Sequence, residues 1–152
     1  MLQVKSILWP FDDSDASIQA LAAAVELAKQ YDAKLYGLHV VPQVPVYTDA
    51  AVPVTSFDIE KYEQQLKHTA EKTLKKVVAE KVPEGIDIEP SVLLGKPSDT
   101  ILDFAKEMKV DLIVMATHAR AGLSHLLIGS VTEDTIRRSG IPILIIPGHD
   151  NR

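Results

Sequence analysis

The chain has 152 residues, 46% of them hydrophobic, and a formal net charge of -5 at pH 7. That length predicts one domain over residues 1–152, with a core from about 4 to 147 and a short tail over 148–152; such a domain buries roughly 70% of the surface its unfolded chain exposes. The negative balance removes the counterion-release term that drives nucleic-acid binding, and the lack of cysteine excludes disulfides, thiolate metal sites and thiol catalysis.

The opening "MLQVKSILWPFDD" meets proline and acid too soon for a signal peptide, and no apolar run approaches the ~20 residues of a membrane helix. The expectation is a cytoplasmic protein with neither membrane nor nucleic acid as partner.

Strand-like and helix-like runs alternate along the chain. Val4 to Trp9 reads as a strand and Ser14 to Tyr31 as a helix, followed by a strand over Lys34 to Val41. Pro42 to Ser56 carries three prolines and neither period; it is long enough to serve as a lid over a pocket or as a tolerated insertion. Phe57 to Val82 is helical because Ile59, Tyr62, Leu66, Ala70, Leu74, Val77 and Val78 fall on one stripe, with Lys and Glu on the other face. A strand over Ile86 to Leu94, a helix over Ser98 to Lys109, a strand over Leu112 to Ala116, a helix over Ser130 to Ser139 and a strand over Ile141 to Ile146 complete the series.

This βαβαβαβαβ pattern predicts a three-layer α/β/α sandwich around a parallel, Rossmann-like sheet. Pro90 lacks the N–H of an interior strand, so the third strand belongs at an edge. "IPILIIP" is apolar on both faces and would be a hazard as an open edge, which predicts a homodimer through Ile141 to Ile146; burial under a helix of the same chain is the alternative. The implied order, 3-2-1-4-5, puts the topological switch between the first and fourth strands, where ligands of such sheets bind.

Two turns meet at that switch. The first, Pro10-Phe11-Asp12-Asp13, leads into a helix start at which Ser14, Asp13 and Asp15 suit capping, leaving Asp12 to accept from a base or ribose. The acidic trio also has the composition of a magnesium site, although such residues more often cap than chelate. The second turn leaves Met115-Ala116-Thr117-His118 and runs through Arg120 and Gly122 to Gly129-Ser130. There Ser130 and Glu133 have the spacing of a capping box, and the helix N-terminus suits a phosphate.

No Walker loop, G-x-G-x-x-G or G-x-S-x-G occurs, and the histidines share no ligand spacing. His39 reads as a histidine at the edge of the core. Any hydrolysis of a bound phosphate ligand would be slow and incidental, for want of a positioned base or metal clamp.

"ILWPFDDSDAS", "LYGLHVV", "GKPSDTILDFAKEMKVDLIVMATHARAG" and "LLIGSVTEDTIRRSGIPILIIP" together resemble the universal stress proteins over nearly the whole chain, from about Val4 to Pro147. The resemblance implies a five-stranded α/β fold, a dimer through the last strand and, in one branch of the family, ATP with Mg2+ bound by a G-x2-G-x9-G-[ST] loop. That pattern falls on Ala116, Ala119, Gly129 and Ser130, so alanine replaces two of its three glycines. Trp9, Phe11 and Asp13 also depart from the family's small residues and would narrow an adenine pocket.

By position, the resemblance places Asp12 and Val41 at the adenine and ribose end, and Gly129, Ser130, Val131 and Thr132 at the phosphates. Pro10, Met115, Ala116, Ala119 and Arg120 complete the candidate site. The expected function is regulatory binding of ATP; the alternative is a protein-interaction module of the same fold that binds no nucleotide.

Overall fold

The structure, a computed structural model, describes residues 2–43, 56–119 and 128–149. In chain order the elements are β1 (Ser6–Phe11), α1 (Asp15–Tyr31), β2 (Lys34–Val41), α2 (Ser56–Lys81), β3 (Ile88–Leu94), α3 (Pro97–Glu107), β4 (Leu112–Ala119), α4 (Ser130–Arg138) and β5 (Ile143–His149). The strands pair in parallel in the order β3-β2-β1-β4-β5. Pro90 lies in the edge strand β3, opposite Gly37, where its missing N–H costs no interior ladder bond.

Alternation along the strands sends side chains to two apolar layers. Ile7, Trp9 and Phe11 of β1 join Ala20, Leu21, Ala24 and Leu74 from α1 and α2 on one face. Leu8, Leu38 and Met115 meet Ile101, Phe104 and Ala105 of α3 on the other.

Trp9 is fully buried and sits beside its register partner Gly37, where an added Cβ would come within 3.1 Å of the indole. The Trp9 Nε1–H donates to the Ser17 carbonyl at 2.7 Å, tying β1 to the start of α1. Trp9 therefore fills the core and is not a wall of the cleft.

At the opposite end of the sheet the Asp111 carboxylate accepts from the Lys5 and Ser6 backbone N–H groups at 2.9 and 3.0 Å, clamping the start of β1 to that of β4.

The differences from the sequence reading lie at element ends. β1 begins and ends two residues later than expected, β4 continues to Ala119, and β5 runs from Ile143 to His149. Register explains the extension, because the β4–β5 ladder continues from Ala116↔Ile146 to Ala119↔His149 and carries polar residues and Pro147 along with it. Backbone pairing overrides weak local propensity there.

Tyr62 is 52% exposed although it lies on the apolar stripe of α2. A helix of 26 residues is about 39 Å long, whereas an eight-residue strand such as β2 spans about 26 Å, so α2 outruns the sheet it covers.

Candidate functional site

At the carboxyl ends of β1 and β4 a cleft of about 360 Å³ opens at the topological switch. Pro10, Asp12, Met115, Ala116, Ser130, Val131 and Thr132 line it. The acidic turn and the entrance to the last helix therefore share one cavity.

Other candidate residues lie differently. Val41 is buried, and its carbonyl accepts from Gly95 N–H at 3.0 Å, while its neighbours Leu38, His39 and Val40 form the β2 wall. Gly129 caps α4, beside the lining residues. Ala119 continues β4, paired with His149. Of the lid expected over Pro42 to Ser56, Pro42 lines the cleft, while residues 44–55, like Arg120, fall outside the described residues.

The Asp12 turn is built by local hydrogen bonds. Asp13 adopts a left-handed φ of 61°, which turns the chain between strand and helix. Ser14 caps α1, its hydroxyl accepting from Ser17 N–H at 3.1 Å. The Asp12 carboxylate accepts from Ser14 N–H at 3.1 Å and from the Ser14 hydroxyl. One carboxylate is thus oriented at the mouth of the cleft by the cap of the helix that follows.

α4 begins differently from the capping box that the sequence predicts. Its N-cap is Gly129, in extended conformation at φ -66° and ψ 159°, with no side-chain cap hydrogen bond; Ser130 is already helical. The box requires serine in the cap itself with the acid three residues on, and the one-residue shift removes that geometry. Glu133 instead accepts from Arg137 at 2.7 Å. The first turn of α4, which supplies Ser130, Val131 and Thr132 to the cleft, therefore has no side-chain cap from its N-cap residue. Thr132, buried, donates to the Ala116 carbonyl at 3.4 Å and fastens this turn to β4.

The alanines of the loop pattern meet no conformational penalty. Both Ala116 and Ala119 lie within β4, and the non-glycine residues of positive φ among those described are Asp13, Asp32 and Lys109. Extended backbone suits alanine as well as glycine. Phe11, expected to narrow the pocket, touches the cleft but is only 3% exposed; its ring packs on Trp9 at 5.2 Å and edge-on to His39 at 5.4 Å.

Two contributors escaped the sequence reading. Pro97 and Ile101 bring the first turns of α3 to the cleft, because this helix crosses from the edge strand β3 back toward β4. His39 is the other. Its Nδ1 is buried and, among the described residues, without a hydrogen-bond partner. Burial holds its pKa below the ordinary 6.5, against the opposing pull of the Asp13 and Asp12 carboxylates. The sequence signal was available: His39 stands opposite Phe11 at the carboxyl end of a strand beside the switch.

Among the described residues, no group of three or more His, Cys, Asp or Glu is placed to hold a metal, and no helix is long and apolar enough to cross a membrane. Asp12 and Asp13 are taken up by the turn and the strand-to-helix reversal.

A parallel sheet with a switch-point cleft closed by helix N-termini defines a doubly wound α/β protein. The sequence profile of the universal stress protein family matches residues 3–147, and the chain belongs to that family. It is 35% identical over 142 residues to universal stress protein MJ0531 of Methanocaldococcus jannaschii, an alignment covering 93% of this chain and 81% of that one. The fold is shared with the solved structure of MJ0577, at a TM-score of 0.80 and 23% identity over 98% of this chain and 99% of that one. It is shared also with a universal stress protein from Archaeoglobus fulgidus in complex with dAMP, at a TM-score of 0.64 and 24% identity over 95% of this chain and 98% of that one.

Proposed function

We propose that this chain binds an adenine nucleotide, ATP, in the cleft between β1 and β4, and does so as a regulatory cytoplasmic homodimer rather than as a catalyst. The observation that carries the reading is the shared cleft: the first turn of α4, which begins at Gly129, faces the same cavity as the oriented Asp12 carboxylate. The first supplies N–H groups and a positive dipole end for phosphates, and the second an acceptor for ribose or base hydroxyl and amino groups. A cavity of about 360 Å³ lies within the range of small-molecule sites. The dAMP complex of the A. fulgidus relative supports adenine as the base.

In this reading Ser130, Val131 and Thr132 hold the phosphates, Asp12 orients the sugar end, and Pro10, Met115 and Ala116 form apolar walls. Mg2+ would arrive with the phosphates, since Asp12 already accepts from Ser14 and the described residues offer no carboxylate cluster. Among the described residues the titratable groups of the lining are Asp12 and His39: one is engaged by Ser14 and the other is disfavoured as a cation. That pair supports positioning of a nucleotide and offers no activated water for its hydrolysis.

The proposed dimer uses the open edge of β5, which pairs with β4 alone among the described strands. Leu144 on that strand and Ile136 on α4 are 39% and 41% exposed. A second copy would pair that ladder and cover those side chains.

Calorimetric titration with ATP, with melting followed in parallel, tests the reading. At 100 times the dissociation constant the ligand stabilises the fold by about 2.7 kcal/mol. That corresponds to a rise of roughly 5–10 °C for a domain of this size. The absence of heat and of any melting shift at millimolar ATP would overturn nucleotide binding and favour the interaction-module alternative. Steady phosphate release that disappears in Asp12→Ala would make the protein an enzyme instead.

A further inference from the structure

The first turn of α3 is joined to α4 by a polar network away from the ligand-facing residues. The Ser98 hydroxyl, on a residue only 4% exposed, donates to Asp134 Oδ2 at 2.6 Å. Arg138 Nη1 donates to that same oxygen at 2.9 Å and to Asp99 Oδ1 at 2.6 Å. Ser98 and Asp99 directly follow Pro97, a cleft residue, while Asp134 stands one helical turn beyond Ser130 and Val131, which are cleft residues too. Below the network, buried Thr135 donates to the Val131 carbonyl at 2.6 Å, so the α4 end of the bridge is fastened to a residue of the lining.

We propose that Ser98 and Asp134 are positioning residues for the cleft: their hydrogen bond sets the spacing of the α3 and α4 N-termini and holds the amide-rich turn of α4 in its ligand-ready place. The proposal deepens the nucleotide reading and rests on it for its ligand-binding consequence alone.

The exposed members contribute little to global stability. Arg138, Asp99 and Asp134 have side chains 44%, 43% and 38% exposed, and ion pairs of that kind are weak and screened by salt. The Ser98 bond differs, being short and charge-assisted with a buried donor. The Ser98 hydroxyl, together with Arg138, holds the Asp134 carboxyl below the ordinary 3.8. A bond that is strong locally but joins two helices at the rim of a cavity affects the shape of that cavity more than the stability of the fold.

The test uses the full chain as Ser98→Ala, Asp134→Ala and Asp134→Asn, the last keeping an acceptor for Ser98. Amide hydrogen exchange is measured at Glu133, Thr135 and Ile136, with Val114 of the central strand β4 as the global reference, and ATP affinity is measured by calorimetry. Ser98→Ala and Asp134→Ala are expected to speed exchange in α4 by about tenfold relative to Val114, the factor for one lost charge-assisted hydrogen bond. They are expected to weaken ATP by a similar factor, and Asp134→Asn, with its neutral acceptor, to recover part of both.

Exchange that is unchanged, or that rises equally at Val114, overturns the positioning role, as does faster exchange with ATP affinity intact. If the wild type binds no ATP while the local exchange effect appears, the nucleotide reading fails and the positioning of α4 stands. Should an alanine variant fail to fold, Asp134→Asn against Asp134→Leu gives the same comparison, with the acceptor kept in one and removed in the other.

Discussion

Ser14 holds Asp12 from two sides: its backbone N–H donates to Asp12 Oδ1 at 3.1 Å, and its hydroxyl donates to the same oxygen. That hydroxyl also accepts from Ser17 N–H, so one side chain both caps α1 and orients the carboxylate of the cleft.

Ser14→Ala is therefore expected to act twice. Loss of the cap costs about 1 kcal/mol, seen as a melting temperature lower by roughly 2–4 °C. Loss of the hydroxyl donor leaves Asp12 held by the backbone N–H of residue 14, and this looser hold weakens ATP by more than that destabilisation explains, which calorimetry well below the melting range checks. Ser14→Thr keeps a capping hydroxyl and retains most of both effects.

Gly148→Ala tests the packing of β5 beneath α1. An added Cβ would meet the Thr117 carbonyl and come within 2.5 Å of Ala16 Cβ, leaving no flexible side chain to yield. The expected cost is about 1–3 kcal/mol, as for overpacking elsewhere, measured by urea denaturation. Gly140→Ala is the control, because an added Cβ there meets nothing within 4 Å and its φ is not in the left-handed region.

His39 makes stability depend on pH. Its folded-state pKa lies below the ordinary 6.5, with burial as the main cause, so the unfolded chain binds the proton more readily. Stability therefore falls as pH drops through 6.5 and levels off below the folded value. Urea denaturation from about pH 7.5 to about pH 5.5 is expected to show this slope in the wild type and a shallower one in His39→Gln. An equal slope in both proteins would place the titration elsewhere. Asp12→Asn is expected to steepen the loss, by removing a carboxylate that favours the imidazolium.

Much of the fold was legible in the chain because hydrophobic period and the proline at 90 are local signals. Pro90 predicted the β3 edge, and with the apolar last strand at the other edge it implied the order that puts β1 beside β4. Both turns of the candidate site followed from that order. What one-dimensional pattern concealed was depth and angle: Trp9 and Phe11, large residues beside the site, turn into the α1–α2 core, and Pro97 arrives from a helix whose crossing the sequence does not specify.

Composition, period and the acidic turn thus determined the sheet, its switch point and the identity of Asp12 as a candidate ligand contact. Tertiary structure decided the rest. The β4–β5 ladder draws Ala116 and Ala119 into extended backbone, where alanine costs nothing, and the helix start at Gly129 moves Ser130 out of the cap. Both outcomes depend on pairing and packing between segments distant in sequence, and no local pattern encodes the free energy of those contacts.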